Sequence, residues 1–125
     1  GSPERDENRK LLDKVRKLVE KSRRLVEELR KLVDQSTKNG LIDEKALRKQ
    51  QEVLRKVEEV LEKQERVLRE LEEISYRVIT RGEDHKAEED SRRVLERFVR
   101  VSREVLKVLE EFLRVSEELL READR

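Results

Sequence analysis

Few side chains in this sequence are of types that do chemistry. His85 is the single histidine, and with Glu88 and Glu89 it offers three metal-binding groups in one stretch. Metal sites in helical proteins are built from ligands facing inward from several helices, so three neighbours at a helix start make a poor one. Acids there also suit the helix dipole, and His85 reads as a solvated first-turn residue among them. Nucleophilic catalysis needs a hydroxyl beside a base, yet the regularly spaced serines have only glutamines and aliphatics as heptad neighbours. Closely placed carboxylates are abundant, but they fall on polar rows where nothing raises a pKa toward general-acid range. Gly40 and Gly82 are isolated, so no glycine-rich loop cradles a phosphate. Arg81-Gly82-Glu83 carries Glu where an adhesion tripeptide requires Asp. The sequence therefore offers no catalytic, cofactor-binding or metal residues, and it points away from an enzyme and from a small-molecule substrate.

Charge excludes further classes. The 125 residues include 32 Lys and Arg against 31 Asp and Glu, a formal charge of +1. No bulk field recruits nucleic acid or an anionic membrane. One basic row, Arg93, Arg100, Lys107, Arg114 and Arg121, recurs along the last third of the chain. Glu104, Glu111 and Glu118, and also Glu110 and Glu117, run beside it and cancel its field, and no aromatic platform for bases accompanies it. No apolar run reaches the roughly 18 residues of a membrane span. With no Cys there is no disulfide, and the compartment stays unread. Gly1-Ser2 reads as the remnant of a removed leader, which leaves 3–125 as one domain.

With half of the residues charged and 34% hydrophobic, only the order of the apolar residues can specify a fold. Ser2-Pro3 fits a helix start; Gly40 and Gly82 fit left-handed helix stops, and Asp43 and Asp84 fit N-caps behind them. Ile42 and Leu47 are spaced as a hydrophobic staple. These marks predict an all-α, up-down-up three-helix bundle with left-handed coiled-coil packing and helices at about 3–38, 44–81 and 85–124.

The heptad rows agree. In the first helix Leu11, Leu18, Leu25 and Leu32 run beside Leu12, Val19, Val26 and Val33, around a central line of Asn8, Val15, Ser22, Leu29 and Ser36. The second has Val53, Val60, Val67 and Ile74 opposite Leu47, Leu54, Leu61 and Leu68. Its central line is Gln50, Val57, Gln64, Leu71 and Val78. Three apolar positions in seven suit a helix that touches two neighbours. Antiparallel pairing sets Ser22 level with Gln64 and Ser102, and Ser36 level with Gln50 and Ser116. Between and below them come Leu29/Val57/Leu109 and Val15/Leu71/Leu95. A buried Gln without partners costs about 1–3 kcal/mol, so each needs its serines, and a slip of one heptad would set it against aliphatics. The polar layers thus read as register devices.

In these features the sequence resembles de novo designed helical bundles with built-in hydrogen-bond networks. The likeness covers all three helices and rests on heptad-spaced Leu and Val, the Ser–Gln–Ser layers, and the Asn39-Gly40 and Arg81-Gly82 turns. It implies high stability, no natural substrate and a purpose in oligomerisation or pairing. Absence of Cys, Met and Trp accords with it. A spectrin-like repeat is the nearest natural comparison, but its characteristic tryptophan is missing.

The third helix has the three rows plus a fourth: Phe98, Val105 and Phe112 on one flank, Val99, Leu106, Leu113 and Leu120 on the other, and Val94, Val101, Val108 and Val115 beyond the first. A closed three-helix core leaves that fourth row uncovered. Val94, Phe98, Val101, Val108, Phe112 and Val115 are therefore the expected interface, serving a homo-oligomer, a twofold dimer in its simplest form, or a designed partner helix or chain.

Overall fold

The computed structural model describes residues 3–40, 43–82 and 85–123, with side chains described from Asp6 to Arg121 within those spans. The helices are α1 (Pro3–Asn39), α2 (Glu44–Arg81) and α3 (His85–Ala123), and they form an up-down-up three-helix bundle. The expected boundaries hold to within a residue. Gly40 and Gly82 carry φ of 61° and 85°, the left-handed backbone an L side chain resists. At the second turn the Gly82 N–H donates to the Val78 carbonyl at 2.9 Å, which closes the end of α2. Asp43 caps α2, its carboxylate accepting from the Lys45 N–H at 3.5 Å. Asp84 as a cap and Ile42 as half of a staple fall outside the described residues.

Packing follows the heptads. Val15, Val19, Leu68, Leu71, Ile74, Val94 and Phe98 form one apolar cluster, with Leu95 against it. Val26, Leu29, Val57, Leu61 and Phe112 form a second, with Leu109 against it. Each expected aliphatic layer thus lies within one cluster. Cross-helix ion pairs step seven residues forward on one helix and seven back on the other, as antiparallel heptads require. Arg16–Glu72 at 3.3 Å, Arg23–Glu65 at 3.5 Å and Arg30–Glu58 at 3.3 Å join α1 to α2. Lys56–Glu111 and Lys63–Glu104, both at 3.4 Å, Arg97–Glu70 at 2.6 Å and Arg77–Asp90 at 3.7 Å join α2 to α3.

The three helices do not share these contacts equally. α2 packs closely on both neighbours, whereas among the described residues no Cα of α1 comes within 8 Å of one in α3. Adjacent helices in a closed bundle lie 8–10 Å apart axis to axis and bring many Cα atoms inside that limit. The arrangement is therefore an open one, with α2 between α1 and α3 as at one vertex of a four-helix square, and α1 and α3 apart as on its diagonal.

Candidate functional site

The side chains divide by which neighbour covers them. Both flanks of α2 are buried: Val53, Val60, Val67 and Ile74 on one, Leu54, Leu61 and Leu68 on the other. α1 buries only the flank turned to α2, where Val19, Val26 and Val33 lie. Its other row, Leu11, Leu18, Leu25 and Leu32, is 40–51% exposed. α3 likewise buries Phe98, Val105, Phe112 and Leu119, while Val99, Leu106, Leu113 and Leu120 are 47–67% exposed. These two open rows face the vacant corner and form the walls of one long apolar groove.

This corrects the interface expected from the sequence. Val94, Phe98 and Phe112 are buried, and Val101, Val108 and Val115 are half-buried against the same core. The expectation assumed that α3 touches both other helices, which centres its covered stripe on Leu95, Ser102 and Leu109. With α2 as its only close neighbour the stripe shifts toward Phe98 and Val94, and the surplus appears on the opposite flank. Tyr76 and Ile79 are exposed at the far end of α2.

The floor of the groove is the central line of the layers. Gln64 and Gln50 are 2% and 4% exposed. Gln64 Nε2 donates to Ser102 Oγ at 3.2 Å, and Gln50 Nε2 donates to Ser116 Oγ at 3.3 Å. Each glutamine amide is thus bonded to one serine of α3. The serines of α1 turn elsewhere: Ser22 Oγ and Ser36 Oγ donate back to the Leu18 and Leu32 carbonyls of their own helix, each at 3.0 Å. Oε1 of both glutamines consequently lies buried without a hydrogen-bond partner. With α1 on the diagonal, its serines satisfy themselves locally, a habit of hydroxyls on helices.

Toward the start of α1 the groove deepens into a hollow of about 220 Å³ lined by Leu11, Leu12, Val15, Leu71, Val78 and Leu95. Outside the groove, Arg30 is held further toward its charged form, chiefly by its hydrogen bond to Glu58. His85 is exposed at the first position of α3, and among the described residues no three His, Cys, Asp or Glu side chains cluster as metal ligands do. No described helix is long and apolar enough to cross a membrane. The chain matches no protein-family model, no curated protein and no solved structure.

Proposed function

We propose that this chain is a non-enzymatic binding module of designed origin, three helices of a four-helix bundle whose fourth helix comes from a separate chain. The observation that carries this reading is the pair of unbroken apolar rows, Leu11 to Leu32 and Val99 to Leu120, exposed on a side that no described residue covers. Burying one such side chain is worth about 1.5–3 kcal/mol, so even partial cover of both rows outweighs the cost of docking a helix. The half-satisfied glutamines support it as well, because a fourth helix at their level supplies the donors they lack. A second copy of the chain is a poorer occupant. Its open apolar surface is the same concave groove, and two concave faces do not fill each other, whereas a single helix is convex.

The test uses the intact protein and a synthetic amphipathic helix of four heptads, with Leu and Val at its apolar positions and uncharged flanks. Light scattering on the protein alone gives one mass at 15.1 kDa, and adding peptide gives a one-to-one complex. Leu18→Glu with Leu106→Glu abolishes the complex and leaves helicity by circular dichroism unchanged, since both side chains are exposed. A stable mass of twice 15.1 kDa without peptide, or a complex indifferent to the double substitution, overturns the reading.

A further inference from the structure

The groove has charged rims, and they differ from the charged edges elsewhere in the bundle. Where α2 meets α1 and α3, the flanking rows pair across the helices. On the vacant side, the row just outside Leu18 and Leu25 is Lys14, Lys21, Glu28 and Gln35, and the row just outside Val99 and Leu106 is Glu96, Arg103, Glu110 and Glu117. All eight are exposed. Among the described residues Glu28 pairs only within its own helix, with Lys31 at 3.6 Å, and none of the other six charged rim residues makes an ion pair. These rims are placed where a fourth helix would lay its flanks.

The register fixes which rim residues share a height. Gln64 bonds Ser102, and the Arg23–Glu65 pair sets Ser22 beside Gln64. Lys21 and Arg103 therefore stand opposite each other across the groove, and one heptad along Glu28 stands opposite Glu110. One heptad in the other direction Lys14 faces Glu96, and at the far end Gln35 faces Glu117.

We infer that the groove is coded for one amphipathic helix, lying lengthwise between α1 and α3, whose flanks read this sequence of charges. The inference rests on the groove reading above and names the occupant's chemistry. Level with Ser22, Gln64 and Ser102 the helix is acidic on both flanks, against Lys21 and Arg103. Level with Leu29, Val57 and Leu109 it is basic on both flanks, against Glu28 and Glu110. Beside the hollow it is acidic toward Lys14 and basic toward Glu96, with a large apolar residue between them to fill the space. At the two glutamine levels its central position carries an amide or hydroxyl that donates to Oε1 of Gln64 and Gln50. Because the pattern is not the same read from either end, it sets register as well as affinity, and it disfavours helices whose flank charges oppose it.

Three four-heptad peptides with identical apolar positions test this by fluorescence anisotropy at low salt: one with the matched flanks, one with every flank charge inverted, and one with uncharged flanks. The matched peptide binds tightest and the inverted one at least about tenfold more weakly, and the gap closes in 1 M salt, where screening is nearly complete. Equal affinities for matched and inverted peptides overturn the charge code while leaving the groove reading intact. Failure of all three to bind overturns the groove reading itself. A reciprocal exchange isolates the central level: Lys21→Glu with Arg103→Glu weakens the matched peptide, and a peptide with Lys at those two flank positions recovers the loss. Both substitutions lie on exposed positions. Loss without recovery places the effect elsewhere than at that level and overturns the assignment.

Discussion

The seams that α2 makes with α1 and α3 and the gap between α1 and α3 are built from the same materials. Each has Leu or Val rows at heptad spacing, a polar interruption every second layer and charged rows outside. At the seams those materials are used up: the apolar rows are buried, the ion pairs cross from helix to helix, and the glutamine amides find Ser102 and Ser116. At the gap the same pattern is left half finished, with leucines in water, rim charges unpaired across it and two carbonyl oxygens without donors. The difference teaches that heptad patterning specifies how a helix packs without specifying how many neighbours it has. A helix with two apolar flanks wants two partners, and in this chain only α2 gets both.

The comparison breaks if equal truncations cost the same on both sides of it. Phe112, 2% exposed, fills the α2–α3 seam, and Leu106, 61% exposed, lines the gap less than two turns away. Phe112→Ala removes a large buried side chain and leaves a cavity, at a cost of about 3–5 kcal/mol. Leu106→Ala removes one already largely in water and changes stability by less than about 0.5 kcal/mol. Denaturant midpoints of the two variants measure this, and comparable losses would mean that the gap closes in solution.

How much of this was legible in the sequence divides along the same line. The helix limits and the up-down-up order were, because glycine stops act locally and short turns force antiparallel neighbours, and the matched spacing of Gln50 and Gln64 with Ser116 and Ser102 set the α2–α3 register. The open face was not. Leu11 to Leu32 and Leu12 to Val33 are equally apolar rows, and nothing in hydrophobicity alone says which one α2 covers. The same holds for Phe98 and Val99 on α3, so hydrophobicity alone does not separate a closed triangle from an open arrangement, and only a closed triangle puts the surplus on the row of Val94, Val101, Val108 and Val115. A signal that separates them does lie in the sequence, in the charged rows. Arg16, Arg23 and Arg30 match Glu72, Glu65 and Glu58 in antiparallel order, which marks the α2 side of α1. Asp90, Arg97, Glu104 and Glu111 match Arg77, Glu70, Lys63 and Lys56 in the same way and mark the α2 side of α3.

A sharper contrast concerns the glutamines, which sit where seam and gap meet. Gln64 donates to Ser102 but leaves Oε1 buried and unpaired. Gln64→Leu removes that orphan acceptor and adds apolar contact with the aliphatic layers on either side. Ser102, half-buried, can turn its hydroxyl to a carbonyl of its own helix, as Ser22 and Ser36 already do. The isolated protein is expected to gain about 1 kcal/mol, the lower end of the cost of a buried unsatisfied group. A loss of that size, seen in thermal or chemical unfolding, would mean that the amide is already satisfied and that the layer is complete without a fourth helix.

The smallest effect belongs to the ion pairs along the seams. Arg30 reaches Glu58 at 3.3 Å across the helices and Glu27 at 3.1 Å along its own, yet its side chain is 47% exposed. Water screens a pair so placed, and ordering a long side chain offsets part of the attraction, so such bridges contribute under about 1 kcal/mol. The hydrogen bond to Glu58 pushes the Arg30 guanidinium further from deprotonation, so Arg30 keeps its charge across the working pH range and salt is the variable that exposes its contribution. Glu58→Gln removes the cross-helix charge with little change in shape. Its cost at low ionic strength is expected to be a few tenths of a kcal/mol and to vanish near 1 M salt, where the screening length is about 3 Å. A cost that persists in high salt would show the pair to be shielded from water, and the α1–α2 seam would then be more tightly closed than the exposure of Arg30 implies.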